Sequence, residues 1–475
     1  MADDVYTQEK QFSVVIIGGG LTGLSLASQL DKEGISFLLL ERADRLGGQV
    51  HTLQEKGYTY EVGPNTGTVS TPEVVDFFEY AAPEAMLEEA DQASNSRWVW
   101  KGNQFHPIPS GIWSGLTTPL YSWKDKLSVP FEPFRKRGTD PNETVGELAR
   151  RRLGKSIVDY TIDPFIGGIY AGDPYQLVTR LALPKLYNLE QKYGSFIGGA
   201  IKKAREPKSE RDKKASKKIF SAVGGLENLI KAVSKKICKA GEVQLGVKNI
   251  SIIPHKLSSA DETWVVSYTD RDGSRQSIQC HNVVTTVRGD LLPPLFTPEL
   301  ADKMSFIATT PYAPITEVCV GFDHLPNIPR AAFGALIPSI EKRDVLGILF
   351  PSSCFKNRTP YPDSALFTIF MGGLRTKELV LDKSQSEQED IALRELYSMM
   401  KIPKAIKPDM VHVACYKKAI PQYDVRTGQR HQDIKRIENT YKGLYLAGGI
   451  IGGIGMANRI TQGIELGKVI AKNYK

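Results

Sequence analysis

The sequence predicts an α/β fold with three parts. These are a discontinuous Rossmann-type nucleotide-binding domain, an α+β domain on a mixed or antiparallel sheet, and a helical insertion that associates with a membrane. Three observations predict it. A strand–glycine–helix–strand–acid unit opens the chain, strand-like alternation fills its middle, and a strand running into glycines and a helix closes it.

Val14, Val15, Ile16 and Ile17 form a short β-branched run that ends at glycine, the pattern of a buried parallel strand. Gly18, Gly19, Gly20, Leu21, Thr22 and Gly23 then fit G-x-G-x-x-G. Gly18 permits a tight turn, Gly20 lets the backbone approach a pyrophosphate, and Gly23 lets the following helix pack on the strand. The helix carries Leu24, Ala27 and Leu30 as far as Gly34, and a second strand over 35–40 ends at Glu41. The helix N-terminus offers N–H groups and a positive dipole end to a pyrophosphate. The Glu41 carboxylate is placed to accept bonds from both hydroxyls of a ribose. A glycine-rich turn without a ligand is the plainer account, but an acid about 20 residues beyond the glycines, at a strand tip, argues against it.

Gly47 and Gly48 permit a second close backbone approach, and Tyr58 and Tyr60 mark a strand running into Glu61-Val62-Gly63-Pro64-Asn65. Thr71-Pro72-Glu73 reads as a helix start. Over 96–130 fall Trp98, Trp100, Phe105, Trp113, Tyr121 and Trp123. They read either as a packing layer or as an aromatic surface for a membrane or a flat ligand. The stretches 143–158 and 174–203 read as helices. Residues 202–218 hold nine basic and three acidic residues, a solvated loop or charged helix with anionic lipid headgroups as the functional rival. A helix over 227–239 and a strand over 243–250 follow. Strands over 264–268, 282–286, 316–322, 345–350 and 366–371 suggest a second, mostly antiparallel domain. Finally, 443–449 reads as a strand into glycines, and 457–474 as a helix whose N-terminus can meet a redox ring. The boundaries drawn are 10–90, 221–290 and 425–475 for the nucleotide domain, 91–110 and 291–424 for the second, and 111–220 for the insertion.

Composition narrows the function classes. A chain of 475 residues exceeds one ordinary core. No run approaches the ~18 apolar residues of a membrane span, and residues 1–10 are polar with no signal-peptide core, so a cytoplasmic or peripheral location is expected. Cys238, Cys280, Cys319, Cys354 and Cys415 show no paired spacing and read as reduced thiols without a metal. The net charge of +8 comes mostly from 202–218, which carries +6, so no nucleic-acid partner is expected. No second dinucleotide fingerprint occurs, and His106, His255, His281 and His324 are scattered in ordinary contexts.

The G-x-G-x-x-G, the run from Glu41 to Gly48 and the segment Ala447-Gly448-Gly449-Ile450-Ile451-Gly452-Gly453 resemble FAD enzymes of the amine oxidase superfamily. Within it, six further stretches are similar to the oxygen-dependent protoporphyrinogen oxidases. They are Glu61-Val62-Gly63-Pro64, Gly167-Gly168-Ile169-Tyr170-Ala171-Gly172, Gly224-Gly225-Leu226-Glu227, Ala332-Phe333-Gly334-Ala335-Leu336-Ile337-Pro338, Val345-Leu346-Gly347-Ile348 and Ile420-Pro421-Gln422-Tyr423. The resemblance implies non-covalent FAD held by Gly18, Gly19, Gly20, Leu21, Thr22, Gly23, Glu41, Arg42, Asp44, Gly48, Gly63, Pro64, Asn65, Thr66, Val247, Gly449, Ile454, Gly455 and Met456. It implies a porphyrinogen stacked near Phe333, Gly334, Leu336, Phe370 and Met371, with Arg97 paired to a propionate. No catalytic side chain is implied. A hydride passes from a bridging methylene to the flavin in each of three rounds, and O2 is reduced to H2O2. The next haem-pathway enzyme and a second copy of the chain are the implied partners. Coproporphyrinogen III oxidation, amine oxidation and a non-catalytic FAD-binding role are the alternatives. Asn65 departs from the arginine of animal members, and 202–218 has no counterpart in the family pattern.

Overall fold

Runs with no polar side must be covered on both faces, and the strands Gln11–Ile17 and Phe37–Glu41 are. Val14, Val15, Ile16, Leu38, Leu39 and Leu40 have no exposed surface. The computed structural model describes residues 11–474 apart from 208, 257–261, 326–327 and 329. The polar stretch 1–10 and Lys208 of the basic run lie outside the described residues.

The two strands centre a sheet in the order Glu242–Leu245, Phe37–Glu41, Gln11–Ile17, Arg275–Thr285, Glu262–Thr269, Lys248–Lys256, with Leu444–Leu446 also on Arg275–Thr285. Leu21–Lys32, Pro72–Ala81, Glu227–Ala240 and Met456–Tyr474 cover one face. Pro298–Ala308 and Thr427–Thr440 cover the other. The expected single strand over 243–250 is instead two strands. Gly246, at φ +71, turns the chain between them, and Val247 sits in the turn. The strands expected over 264–268 and 282–286 belong to this first sheet.

The second sheet runs Met410–Pro421, Tyr312–Phe322, Ala365–Gly372, Gly347–Leu349, Gly334–Leu336, Arg97–Lys101, Gln104–Pro107. It is antiparallel except where Gly334–Leu336 lies parallel to Arg97–Lys101. The helix Gln385–Met400 packs on one of its faces over Val318, Ile348, Phe367 and Ile369. The overall architecture is a mixed α/β fold with several mixed sheets.

The aromatic stretch divides into packed and exposed members. Trp98 and Trp100 pack with Phe105 and Phe350 in the second core. Trp113 and Trp123 are 80% and 67% exposed. The expected helices over 143–158 and 174–203 are cut into short pieces. Val145–Leu153 ends at Gly154 (φ +101), and Pro184–Tyr193 ends at Gly194 (φ +78) before Phe196–Ala204 begins. Arg152, fully buried, ties these pieces together, pairing with Glu132 at 2.9 Å and with Glu190 at 2.5 Å. Glu132 in turn accepts the N–H groups of Phe196 and Ile197 at the start of the last helix. The basic run contains a short helix, Glu210–Lys213, and much of its charge is answered internally. Arg211 reaches Glu73 (2.8 Å), Lys214 reaches Asp76 (2.9 Å) and Lys218 reaches Glu89 (2.6 Å). Among the described residues no helix is long and apolar enough to cross a membrane.

Candidate active site

At Gly18, Gly19 and Gly23 there is no room for a side chain. Gly18 has φ +108, and a Cβ on Gly23 would overlap the Gly18 carbonyl oxygen. A Cβ on Gly48 would stand 3.1 Å from the Cα of Gly20, so two loops stack through bare backbone. Arg45 pins the second loop through the carbonyls of Gly48 (2.8 Å) and Val50 (3.0 Å). Glu41 accepts the N–H of Gly19 at 2.6 Å and of Ala43 at 2.8 Å. Arg42 and Asp44 are exposed beside it. The buried Val247 donates its N–H to the Glu41 carbonyl at 3.1 Å, which sets the turn against the strand tip.

The C-terminal helix Met456–Tyr474 crosses Leu21–Lys32 closely because Gly463 and Gly467 face it. Ser25 Oγ reaches the Arg459 carbonyl (3.4 Å), and Thr22 Oγ1 reaches Gln462 Oε1 (3.4 Å). The crossing brings Leu21 and Thr22 to the loop that contains Gly449, Ile454, Gly455 and Met456. Arg459 and Gln462, unnoticed in the sequence, hold that loop. Arg459 donates to the carbonyls of Gly448, Ile451 (2.8 Å) and Gly452 (2.7 Å), and Gln462 accepts the Gly448 N–H (3.0 Å). Burial pulls the Arg459 guanidinium down to about 10. Their visible signal was a polar i, i+3 pair one turn into a glycine-opened helix.

Bare stacked loops, a free helix N-terminus and an acid at a strand tip fit the pyrophosphate and ribose of a dinucleotide.

The register of the second sheet gathers the other candidates. Arg97, Gly334, Leu349, Thr368 and Cys319 lie opposite one another across five strands. Two residues along, Leu336, Gly347, Phe370 and Glu317 do the same, so both rows share one face. Met371 does not belong with them. Neighbours in a strand point to opposite faces, and Met371 is fully buried in the core beneath Gln385–Met400. The Arg97 guanidinium lies 5.4 Å over the Phe333 ring. The helix Asp163–Tyr170 closes over this face, where a Cβ on Gly168 would stand 2.6 Å from Leu336 Cδ2. A cavity of about 370 Å³ opens there between Gly167, Ala171, Ile337, Leu346 and Leu374, with Lys342, Arg343 and Arg375 also lining it. Leu346 was visible only as part of a motif block.

Two buried carboxyls join the sheets: Glu61, which opens one of the motif blocks, and Glu317, which no motif signalled. Glu317 accepts the Gly63 N–H at 3.2 Å and the Asn65 Nδ2 at 3.3 Å. Burial pushes its carboxyl up to about 8, despite those two donors. Glu61 accepts from Thr52 Oγ1 (2.6 Å) and the Leu226 N–H (2.9 Å), with Arg358 3.5 Å away. Burial outweighs all three and pushes it up to about 7. Asn65 and Thr66 thus stand beside Phe333 at a small cavity of about 20 Å³, which Glu61 and Arg358 also line.

Comparison with known proteins is consistent with this geometry. Residues 21–454 match the flavin containing amine oxidoreductase family. Protoporphyrinogen oxidase 1, chloroplastic, of Arabidopsis thaliana is 30% identical over 95% of this chain and 86% of that protein. Coproporphyrinogen III oxidase of Bacillus subtilis is 26% identical over 95% and 96%. A crystal structure from Exiguobacterium sp. 255-15 superposes with a TM-score of 0.78 at 22% identity, over 98% of this chain and 100% of that one. Cyclohexylamine oxidase from Brevibacterium oxydans IH-35A gives 0.68 at 15% identity, over 98% and 100%. The chain is an oxidoreductase that uses a flavin, and it belongs to the flavin containing amine oxidoreductases and, within them, to the protoporphyrinogen oxidase family.

Proposed function

We propose that the chain oxidises protoporphyrinogen IX to protoporphyrin IX in haem biosynthesis, with O2 as acceptor and H2O2 as second product. The observation that carries the reading is the single sheet face that presents Arg97, Leu336 and Phe370 and, through Glu317, holds the 63–65 loop. FAD would be held without a covalent bond by the glycine loops at Gly18 to Gly23 and Gly48, by Glu41 and Val247, and by the loop before Met456. Bound there, the flavin supplies hydride acceptance and reoxidation by O2. Leu336, Leu346 and Phe370 supply apolar surface for the macrocycle, and Arg97 a bidentate partner for a propionate. Each of three rounds removes one hydride from a methylene bridge and one proton, and tautomerisation converts the fourth bridge, so that four C–H and two N–H hydrogens are lost in all and three O2 become three H2O2.

The nucleotide part would comprise 10–90, 221–308 and 425–475, its middle stretch extended past the expected boundary at 290 because Leu292, Phe296 and the helix Pro298–Ala308 pack on the first sheet. The substrate part would comprise 91–110 and 309–424, and the insertion 111–220. The insertion presents Ile112, Trp113, Leu127, Phe131 and Phe134 at 65–86% exposure, with Lys124, Lys136 and Arg137 nearby in sequence. Such a surface suits a peripheral membrane contact. Co-sedimentation with anionic vesicles, lost in a Trp113→Ser/Phe134→Ser variant, tests it.

A second reading, coproporphyrinogen III, draws on Lys342, Arg343 and Arg375 around the larger cavity, since that substrate carries four carboxylates. Aerobic turnover of both porphyrinogens side by side decides. Faster turnover of the dicarboxylate supports the first reading, and faster turnover of the tetracarboxylate replaces it with the second.

A further inference from the structure

Asn65 spends both amide protons inside the protein. Its Nδ2 donates to the Gly63 carbonyl at 3.0 Å and to Glu317 Oε2 at 3.3 Å. The Gly63 carbonyl can only accept, so it must be met by the NH2 end, and the amide cannot be turned around. Among the described residues no group donates to Asn65 Oδ1. Asn65 lines the small cavity beside Phe333, whose ring carries the Arg97 guanidinium.

We infer that Glu317 is a positioning residue that fixes the Asn65 amide, so that Asn65 Oδ1 accepts a hydrogen bond from a pyrrole N–H of the bound substrate. The inference rests on the porphyrinogen reading above and names the group that recognises the ring nitrogens. Glu317 is an expensive way merely to fill a strand. It is buried to 5% exposure, and no Lys, Arg or His among the described residues lies within ion-pairing distance. An apolar residue would cost less there. What a carboxyl adds is an acceptor aimed at the 63–65 loop, and it sits in the row that holds Leu336 and Phe370. A porphyrinogen offers four N–H donors and no ring-nitrogen acceptor, so the pocket needs acceptors, and Oδ1 is one.

The test compares wild type with Glu317→Leu, Glu317→Gln, Asn65→Leu and the Glu317→Leu/Asn65→Leu double variant. FAD content is read from the absorbance of the purified protein, and kcat and KM from aerobic protoporphyrinogen IX oxidation. Glu317→Leu and Asn65→Leu are each expected to lower kcat/KM about tenfold or more, with FAD content within twofold of wild type. The double variant should fall no further, because the two residues act as one unit. Glu317→Gln, whose amide oxygen accepts the same two bonds, should recover most of the loss. Asn65→Leu with full FAD and unchanged kcat/KM overturns the inference, whether or not Glu317→Leu folds. So does FAD loss that tracks the fall in rate, which would make Glu317 a clamp for the cofactor loop alone. Wild type inactive on both porphyrinogens defeats the underlying reading instead, and is seen without any variant.

Discussion

The crossing of the first and last helices joins the two ends of the chain at the candidate flavin site, and Gly463→Ala probes it directly. The added Cβ would overlap the Thr22 carbonyl oxygen and Ser25 Oγ and lie 2.7 Å from the Leu26 nitrogen. Two of those three atoms are backbone of a helix, so no side-chain rotation relieves the contact. Non-bonded heavy atoms settle at roughly 3.5 Å, so the helices must part by about 1 Å. Overpacking of this kind costs about 1–3 kcal/mol, and the upper end applies because the obstacle is backbone. For a chain of this length the entropy of unfolding is on the order of 1 kcal/mol/K, so Tm falls by only about 2–3 °C. The larger effect is on the cofactor. Parting the helices draws Met456 away from Leu21, and FAD affinity should weaken by at least tenfold. Calorimetry and titration of flavin into the deflavinated protein measure the two quantities. Gly115→Ala is the control, since nothing lies within 4 Å of its Cβ. Unchanged Tm and unchanged FAD affinity in Gly463→Ala would refute the reasoning.

Three further outcomes are expected. Glu61 and Glu317 hold protons in the folded chain that the unfolded chain releases near pH 4.5; their stabilising difference is therefore complete below that pH and is lost as pH rises through about 7 and about 8. Urea midpoints should fall between pH 5 and pH 8.5, and Glu317→Gln should flatten the upper half of that fall; a flat wild-type profile contradicts the assignment. Arg152→Met strands the buried Glu132 and leaves Glu190 with Arg151 alone, which should cost about 3–5 kcal/mol in denaturant unfolding; a loss below about 1 kcal/mol would show that the network is solvated. Arg97→Ala should raise KM for the porphyrinogen far more than it weakens FAD retention, and equal effects in the two assays count against a propionate contact.

The nucleotide half was legible because its chemistry is local. Strand, glycines, helix and acid follow one another within 13–41, and Gly18 and Gly23 meet the steric demands their positions imply. The same holds for the last strand and helix. The break between 245 and 248 was not legible, because the apolar character continues across Gly246 and only the positive φ there marks two strands. The helical insertion misled for a similar reason. Gly154 and Gly194 are tolerated in a helical pattern, and what separates the short helices is the charge network on Arg152, whose partners lie 20 and 38 residues away. The strand Met410–Pro421 and the helix Gln385–Met400 went unmarked, since an edge strand carrying Lys417 and Lys418 offers little apolar contrast.

Met371 and Glu317 show why site residues in a strand cannot be assigned by adjacency. The resemblance implied both Phe370 and Met371, but a period of two allows only one of two neighbours to face the chamber. The same parity recovers what no motif contained. Phe370 pairs with Glu317, so once Phe370 is placed on the chamber side, Glu317 must be there too. A carboxyl in that row can face neither bulk water nor a cation, because the 63–65 loop covers it. It can therefore only organise that loop. The grip of the second sheet on the 63–65 loop follows from strand register rather than from any short signature.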